Sequence, residues 1–191
     1  MRFRFLFTVA FVATTTLAIP AAHAQETVSV EPFRNVELRG GGHILLRRGS
    51  EQRVTLLRGS SRFTRVHVRE NGQLVIDTCD EDCPRHYDLE IEIVTPRIAG
   101  VAVSGGGKIE SARGFGRQEE IAAAVEGGGH IDIRSIDAER ADAAVNGGGH
   151  IELRAERRLE AAVNGGGHIA YWGDPAVTSA VDGGGSINRG S

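Results

Sequence analysis

Histidine follows a glycine triplet at four places in this sequence, and three of these histidines recur at nearly constant spacing. The three are His130, His150 and His168. Imidazole nitrogens bind Zn²⁺ and Cu²⁺, and they also titrate near neutral pH. We therefore expect a metal or ligand site, or a pH-responsive surface, if the fold aligns the three rings. Asp132 and Glu152 each follow a histidine by two positions and could orient the imidazoles through hydrogen bonds.

The same three histidines also have a structural interpretation that needs no cofactor. Ligands in a straight column do not naturally surround one metal ion. Equivalent positions of the flanking repeats hold Lys108 and Ser186, which do not suit a metal site. The imidazoles would then form a solvent-facing ladder that balances neighbouring carboxylates.

The histidines belong to an internal repeat built around glycine triplets. The triplets begin at Gly40, Gly105, Gly127, Gly147, Gly165 and Gly183, and the last five recur at nearly constant spacing. A period of about 20 residues, with β-branched residues and no helical periodicity, is typical of one coil of a β-solenoid. We expect an all-β fold, a right-handed parallel β-helix (β-solenoid) with about 18–22 residues per coil.

The hydrophobic residues before and after every triplet are separated by even numbers of positions, so that they share one parity along the strand. Val125, Ile131 and Ile133 are an example from one repeat. Alternate side chains of a strand share a face, so these residues are predicted to line the interior. The same rule predicts interior positions for Val181 and Ile187 in the last repeat.

The glycine triplets are predicted to bend or pinch the wall of each coil, because glycine permits positive φ and close backbone approach. If the strand runs straight, the middle glycine points outward and forms the floor of a shallow trench between two polar columns. If the triplet is a sharp corner, the trench flattens into an edge. The predicted floor includes Gly128, Gly148 and Gly166.

The sequence between the first two triplets is strand-like but less regular. Glu70-Asn71-Gly72 carries the Asn-Gly signal of a tight hairpin. We predict a partly antiparallel N-terminal section, residues 25–97, that continues without a linker into the regular coils at 98–191. Residues 25–191 are thus predicted to form a single domain.

The first 24 residues have the pattern of an export signal. Arg2 and Arg4 precede an apolar run, and Ala22-His23-Ala24 fits a cleavage site. Removal of the two arginines takes the formal net charge from −3 to about −5. This balance argues against nucleic acid as a partner, and the sequence predicts no transmembrane segment in the mature chain. The expected location is the periplasm or the cell surface of a bacterium.

Two cysteines lie close together, at Cys79 and Cys83. In an exported protein, such a pair is predicted to close a small disulfide loop. The alternative is a metal site in this acidic loop, with Asp80, Glu81 and Asp82 as helpers.

Catalytic chemistry has little support in the sequence. Polysaccharide-cleaving β-helix enzymes need carboxylates at a set separation or a basic residue beside Ca²⁺. Here the acids Glu110, Asp132 and Glu152 recur at one repeat position. No serine nucleophile, phosphate-cradling or HExxH motif is present. We expect no enzymatic activity, and a carbohydrate-active β-helix enzyme is the third interpretation.

Taken as a set, the repeats resemble the bacterial family of putative auto-transporter adhesins with a head GIN domain. PRIAGVAVSGGGKI, at 96–109, is similar to the family's entry into its solenoid, and YWGDPAVTSAVDGGGSI, at 171–187, is similar to its ending. The resemblance covers roughly 33–188. It implies an exported envelope protein with adhesion or surface binding as its function, and it carries over no catalytic or binding residues. The histidine after the triplet departs from the family's pattern.

The sequence thus predicts a non-enzymatic, exported β-solenoid that offers a repetitive binding surface. The expected partner is a glycan, an envelope protein or a second copy of the chain, joined through solenoid ends whose strand edges are unpaired. The alternative is a periplasmic metal-binding or pH-responsive protein that uses the histidine ladder, with Zn²⁺ or Cu²⁺ as the metal.

Overall fold

The computed structural model describes residues 25–79 and 82–190. The predicted export signal, residues 1–24, lies outside the described residues, and so do two acidic residues between the cysteines. The described part contains β-strands and no helix, which confirms the all-β class. Accordingly, none of it forms a helix with the length and apolar character that a membrane crossing requires.

Within the described residues, fifteen strands hydrogen-bond in one sheet that mixes parallel and antiparallel pairing. The two longest, β11 and β12, each run from one glycine triplet to the next. In chain order the strands are β1 (Glu26–Val28), β2 (Asn35–Gly40), β3 (His43–Arg48), β4 (Arg53–Arg58), β5 (Arg65–Val68), β6 (Gln73–Asp77), β7 (Glu90–Thr95), β8 (Gly100–Gly105), β9 (Lys108–Ser111), β10 (Gln118–Gly127), β11 (His130–Gly147), β12 (His150–Gly165), β13 (His168–Trp172), β14 (Ala176–Asp182) and β15 (Ser186–Arg189).

Successive repeats pair in parallel and in register, so that equivalent residues of each repeat lie side by side. Before each triplet, Val125 pairs with Val145 and Val145 pairs with Val163. After each triplet, Ile131 pairs with Ile151, which also pairs with the isoleucine of the next repeat. The fold therefore has two walls on either side of the triplets, and we name them by their outward residues.

The alanine wall precedes each triplet, and the histidine wall follows it. The outward column that defines the alanine wall is Ala102, Ala124, Ala144, Ala162 and Ala180. The column that defines the histidine wall is His43, Lys108, His130, His150, His168 and Ser186.

The predicted parity holds in the core. Val125, Ile131 and Ile133 are at most 1% exposed. The last repeat is the exception, because Val181 is 47% exposed and Ile187 is only partly buried. The prediction of interior positions was therefore wrong for Val181, because no strand of the described residues pairs with the outer side of its strand and covers it.

The glycine triplets are bends that join the two walls, and the three glycines have different roles. Gly147 has a φ of +123°, a conformation that other residues rarely adopt. A Cβ at Gly149 would overlap Val125 and would lie 2.8 Å from the carbonyl oxygen of Gly129, whereas a Cβ at Gly148 would meet nothing within 4 Å. The middle glycines therefore run along an exposed corner rather than between straight strands.

The first triplet stacks directly on the second, although they are far apart in the sequence. β2 pairs with β8, β3 pairs with β9, and the amide of Gly106 donates to the carbonyl of Gly40 at 3.0 Å. The N-terminal strands form antiparallel pairs that join β1 to β4, β4 to β7 and β5 to β6, which confirms a partly antiparallel N-terminal section and its hairpin at Gly72. Cys79 and Cys83 form the predicted disulfide.

Candidate ligand-binding face

The histidine wall brings the three predicted histidines into one stack. The rings of His130 and His150 lie 5.3 Å apart between centroids with an interplanar angle of 3°, and those of His150 and His168 lie 5.1 Å apart at 18°. The Nδ1 atom of His168 shares a hydrogen bond with the hydroxyl of Ser186. The ring spacing follows the spacing of neighbouring strands, about 4.8 Å.

His43 extends this column on the far side of Lys108, a placement that sequence reasoning did not make. The signal was available, because His43 follows a glycine triplet exactly as the other three histidines do. Its place beside Lys108 depends on the pairing of β3 with β9, two strands that are distant in the chain.

The stacked arrangement differs from a chelating one. Parallel rings more than 5 Å apart cannot both place a nitrogen within the 2.0–2.1 Å of a zinc–nitrogen bond. Within the described residues, no group of three or more His, Cys, Asp and Glu side chains is arranged to hold a metal ion. The rings would have to rotate out of the stack before they could share a metal.

Carboxylates of the neighbouring column lie between the basic side chains of this one. Glu110 accepts from Lys108 Nζ at 2.6 Å and lies 2.7 Å from His43 Nε2. Glu152 Oε1 lies 3.9 Å from His130 Nε2 and 3.6 Å from His150 Nε2. The acidic column predicted from sequence is thus in place beside the histidine column.

This environment shifts two pKa values downward. Burial lowers the pKa of His150, and the neighbouring charge of His130 lowers it further, while Glu152 opposes the shift. The hydrogen bond from Lys108 lowers the pKa of Glu110. The wall therefore holds a carboxylate that stays charged and, at the centre of the stack, an imidazole that favours its neutral form.

A cleft of about 710 Å³ opens beside these columns. It forms where the pairing of β11 with β12 shifts register between Asp132 and Asp137. The repeat that contains β11 is slightly longer than the next one, and such a shift leaves residues without partners across the ladder. The cleft is lined by Ser111, Arg113, Asp132, Arg134, Ser135, Asp137, Arg154 and Trp172.

Arg134 ties the cleft to the acidic column. Its Nε atom donates to Asp132 Oδ1 at 2.9 Å and lies 2.8 Å from Glu152 Oε2. Its guanidinium carbon lies 4.8 Å from the centre of the ring of Trp172, the one tryptophan of the sequence, in a cation–π contact. Burial raises the pKa of Asp132, but the hydrogen bonds from Arg134 outweigh it and lower the pKa overall.

The hydroxyls of Ser111 and Ser135 share a hydrogen bond at 2.6 Å, whereas the other two arginines of the cleft are less constrained than Arg134. Arg154 Nε lies 3.4 Å from Asp137 Oδ1, and both side chains are partly open to solvent. Arg113 is exposed, and no carboxylate among the described residues forms an ion pair with it. The cleft therefore offers an unpaired guanidinium beside hydroxyl and carboxylate groups, which can donate to and accept from a polar ligand.

The sequence contained two signals for this cleft that sequence reasoning did not combine. These signals are the one tryptophan of the sequence and the longer repeat that contains β11. What brings Trp172 to Arg134 is the pairing of β12 with β13, together with the register shift between β11 and β12.

The fold and its outward columns place the protein in the class of all-β repeat proteins. Within this class, residues 111–175 match the family described as "Putative auto-transporter adhesin, head GIN domain". The predicted resemblance to this family is confirmed over residues 111–175, a shorter part of the chain than the predicted 33–188. A comparison with curated protein sequences finds no match.

Several solved structures resemble the chain. A putative adhesin from Bacteroides fragilis is 18% identical with a TM-score of 0.50, over 87% of this chain and 96% of that one. A putative adhesin from Parabacteroides distasonis is 15% identical, with a TM-score of 0.43 and coverage of 87% and 96%. A putative cell adhesion protein from Clostridium sporogenes is 12% identical, with a TM-score of 0.41 and coverage of 87% and 98%. At these identities the similarity concerns the fold alone.

Proposed function

We propose that this chain is a non-enzymatic, exported protein of the bacterial cell envelope that binds a surface ligand, as an adhesin does. The family match over residues 111–175 supports the adhesin class. The observation that carries the proposal is the cleft beside Trp172, a polar cavity on an otherwise repetitive face.

The ligand of this cleft is a glycan that carries an acidic group. The cleft has the size of a small-ligand pocket, and its lining provides donors and acceptors on neighbouring strands. Arginine binds carboxylate and sulfate groups through paired hydrogen bonds, and Arg113 has its guanidinium available for such contacts. Trp172 adds apolar surface at one side of the cavity.

The state of the carboxylates supports binding rather than catalysis. Asp132 is held by Arg134, and Asp137 lies against Arg154. A glycosidase needs one carboxyl group with a raised pKa as its general acid, whereas the pKa of Asp132 is lowered.

We also propose how the chain is wound and processed. The parallel repeats of the chain form a right-handed β-solenoid, because parallel crossover connections are almost always right-handed. Export removes residues 1–24 and leaves one domain, residues 25–191, in the periplasm or on the cell surface.

Binding of acidic oligosaccharides tests this function. The purified protein is screened on a glycan array, and its affinity for an acidic oligosaccharide found there is measured by calorimetry. Arg113→Ala and Trp172→Ala should each weaken binding by about tenfold or more, because each removes a ligand contact. Arg117→Ala is the matched control, since this exposed arginine lies outside the cleft and should leave the affinity unchanged.

Three results would count against the proposal. The first is an array without a bound acidic glycan, and the second is unchanged affinity in both cleft variants. The third is release of shortened products from a bound glycan, which would make the protein an enzyme.

The histidine stack favours a second candidate function, a pH-responsive or metal-binding surface. Protonation of His130, His150 and His168 would place like charges about 5 Å apart. Glu152 and Arg134 act on His150, and Asp132 interacts with His130. Titration with Zn²⁺, Cu²⁺ and Ni²⁺, in the native chain and in a triple His→Gln variant, distinguishes metal binding from a pH response. Metal binding is supported if the native chain binds an ion more tightly than millimolar and the variant does not. Metal binding is ruled out if the native chain binds more weakly than millimolar, or if the variant binds as tightly as the native chain.

A further inference from the structure

The two ends of the stack differ in how their strand edges are closed. At the N-terminal end, β7 pairs parallel with β3 and β6 pairs parallel with β2, and the antiparallel strands β4, β1 and β5 lie beyond them. The outermost edges at this end therefore belong to two short strands, β1 with 3 residues and β5 with 4. At the C-terminal end, β14 pairs with β12 alone and β15 pairs with β13 alone. Every residue of β14 is exposed, and within the described chain nothing pairs with its outer edge.

This edge lacks the features that natural edge strands use to prevent pairing. Its sequence, AVTSAVD, contains no lysine, arginine, glycine or proline, and its single charge is at the end, at Asp182. Val177 and Val181, which have interior parity, are 38% and 47% exposed. An uncharged, regular edge with exposed valines is a surface on which another strand can pair.

The repeat shows which backbone groups of β14 face the open edge. In a parallel ladder, alternate residues bond to opposite neighbours. The amide of Ala122 donates to Ala99 of the preceding repeat, and Thr178 occupies the same repeat position as Ala122. Thr178 therefore bonds toward β12, and the N–H and C=O groups of Val177, Ser179 and Val181 face outward along the stack.

We propose that β14 pairs antiparallel with β14 of a second copy of this chain, around a two-fold axis at Ser179. The resulting dimer joins two stacks through their C-terminal ends. The proposal is independent of the ligand assigned to the cleft, because the residues of β14 do not line that cavity.

The strand is complementary to itself in this register. Full pairing of the strand places Val177 opposite the partner's Val181, and Ser179 opposite the partner's Ser179. The residues that face each other are those with free N–H and C=O groups, so each such pair can exchange two hydrogen bonds. Each exposed valine is then covered by a valine of the other copy.

Charge favours the same register. Full pairing places the partner's Asp182 opposite Ala176, which pairs on its other side with Arg158. Arg158 and the partner's Asp182 are then separated by two strand spacings, about 9.6 Å. Because the residue between them, Ala176, is small, the long arginine side chain can extend across it to the carboxylate. A shift by two positions in one direction would instead set Asp182 opposite the partner's Asp174, and like charges directly opposite destabilise a pair. A shift in the other direction would set Asp182 opposite the partner's Thr178, out of reach of Arg158.

Sedimentation velocity of the purified protein over a concentration series tests the dimer. The native chain should be dimeric at micromolar concentrations. Val181→Lys and Ser179→Pro should be monomeric, because the first buries a charge at the interface and the second removes an edge N–H that β12 does not use. Thr27→Lys, an exposed substitution in β1 at the opposite end, is the matched control and should remain dimeric.

Two single-cysteine variants test the register of the two β14 strands, and they remain informative if the other variants perturb the last repeat. Ser179→Cys should form a covalent dimer under mild oxidation, since opposed residues of a hydrogen-bonded antiparallel pair have Cα atoms about 5.5 Å apart. Ala180→Cys, one position along, should not, because it faces the partner's Thr178. A monomeric native protein, equal cross-linking of both variants or open-ended polymers would each overturn the proposal.

Discussion

The two walls of this protein have the same interior and different exteriors. Leu159 of the alanine wall and Ile151 of the histidine wall are both fully buried in one continuous core. Outside, the alanine wall presents small side chains that line a shallow groove of about 610 Å³. The histidine wall presents stacked rings, bridging carboxylates and the cleft beside Trp172.

Folding and ligand binding make different demands on the residues of the repeat. Inward positions of both walls are filled by aliphatic residues, because hydrophobic burial is the main favourable term in folding. Outward positions are free of that demand. The histidine wall uses them for stacked imidazoles and carboxylates beside a cleft, whereas the alanine wall carries alanines together with a few carboxylates such as Asp142 and Glu160. Stability should therefore depend on both walls alike, whereas the two walls should respond differently to pH.

The largest expected effect is a loss of stability from truncation in the core of either wall. Ile151→Ala and Leu159→Ala should each lower the free energy of unfolding by about 2–5 kcal/mol, because each leaves a cavity in a packed interior. Urea denaturation of the two variants measures this. A loss several times smaller on one wall would show that the two walls do not share a core.

A smaller effect is expected at the corner that joins the walls. Gly149→Ala should cost about 1–3 kcal/mol, because its Cβ has no space beside Val125 and the Gly129 carbonyl. Gly148→Ala should be close to neutral, since a Cβ there meets nothing within 4 Å. Thermal unfolding of this matched pair measures the difference, and an equal cost at both positions would contradict the division of roles within the triplet.

The smallest effects are opposite pH dependences of stability on the two walls. The pKa of His150 is lowered, so its contribution to stability is present above about pH 6.5 and is lost as pH falls through the folded pKa. On the alanine wall, burial raises the pKa of Asp142, and Glu160 and Glu120 raise it further. Its contribution is present below about pH 3.9 and is lost as pH rises through the folded pKa.

Two single variants separate these contributions in urea denaturation measured between pH 3 and 8. His150→Asn should flatten the part of the stability curve just below pH 6.5, and Asp142→Asn should flatten the part just above pH 3.9. Unchanged curves in both variants would show that neither wall has the predicted response.

Much of the fold could be predicted because strand parity and repeat length act locally. Val125 and Ile131 are separated by an even number of positions across a triplet, and that spacing was sufficient to place both inside. The rule was wrong for Val181, since burial requires a neighbouring strand as well as the correct parity. Parity specifies a face, and only the next strand determines whether that face is covered.

The candidate site was less predictable, because it depends on exceptions to the repeat. The histidine column follows from in-register pairing and was expected. The cleft requires the register shift after Asp132, the contact of Arg134 with Trp172 and the exposure of Arg113. A shift in register is a property of two paired strands, and the repeat period alone does not reveal which residues it brings together.

By itself, the sequence determined the strand class, the interior parity and the order of the outward columns, because each is fixed by alternation along a strand and by repetition of one frame. The tertiary structure alone decided that the first triplet stacks on the distant second one, that a cleft opens beside Trp172, and that β14 ends the described stack with a free edge. These three features depend on which strands become neighbours. The hydrogen bonds and burial that select a neighbour come from residues far apart in the chain, so no local pattern records the choice.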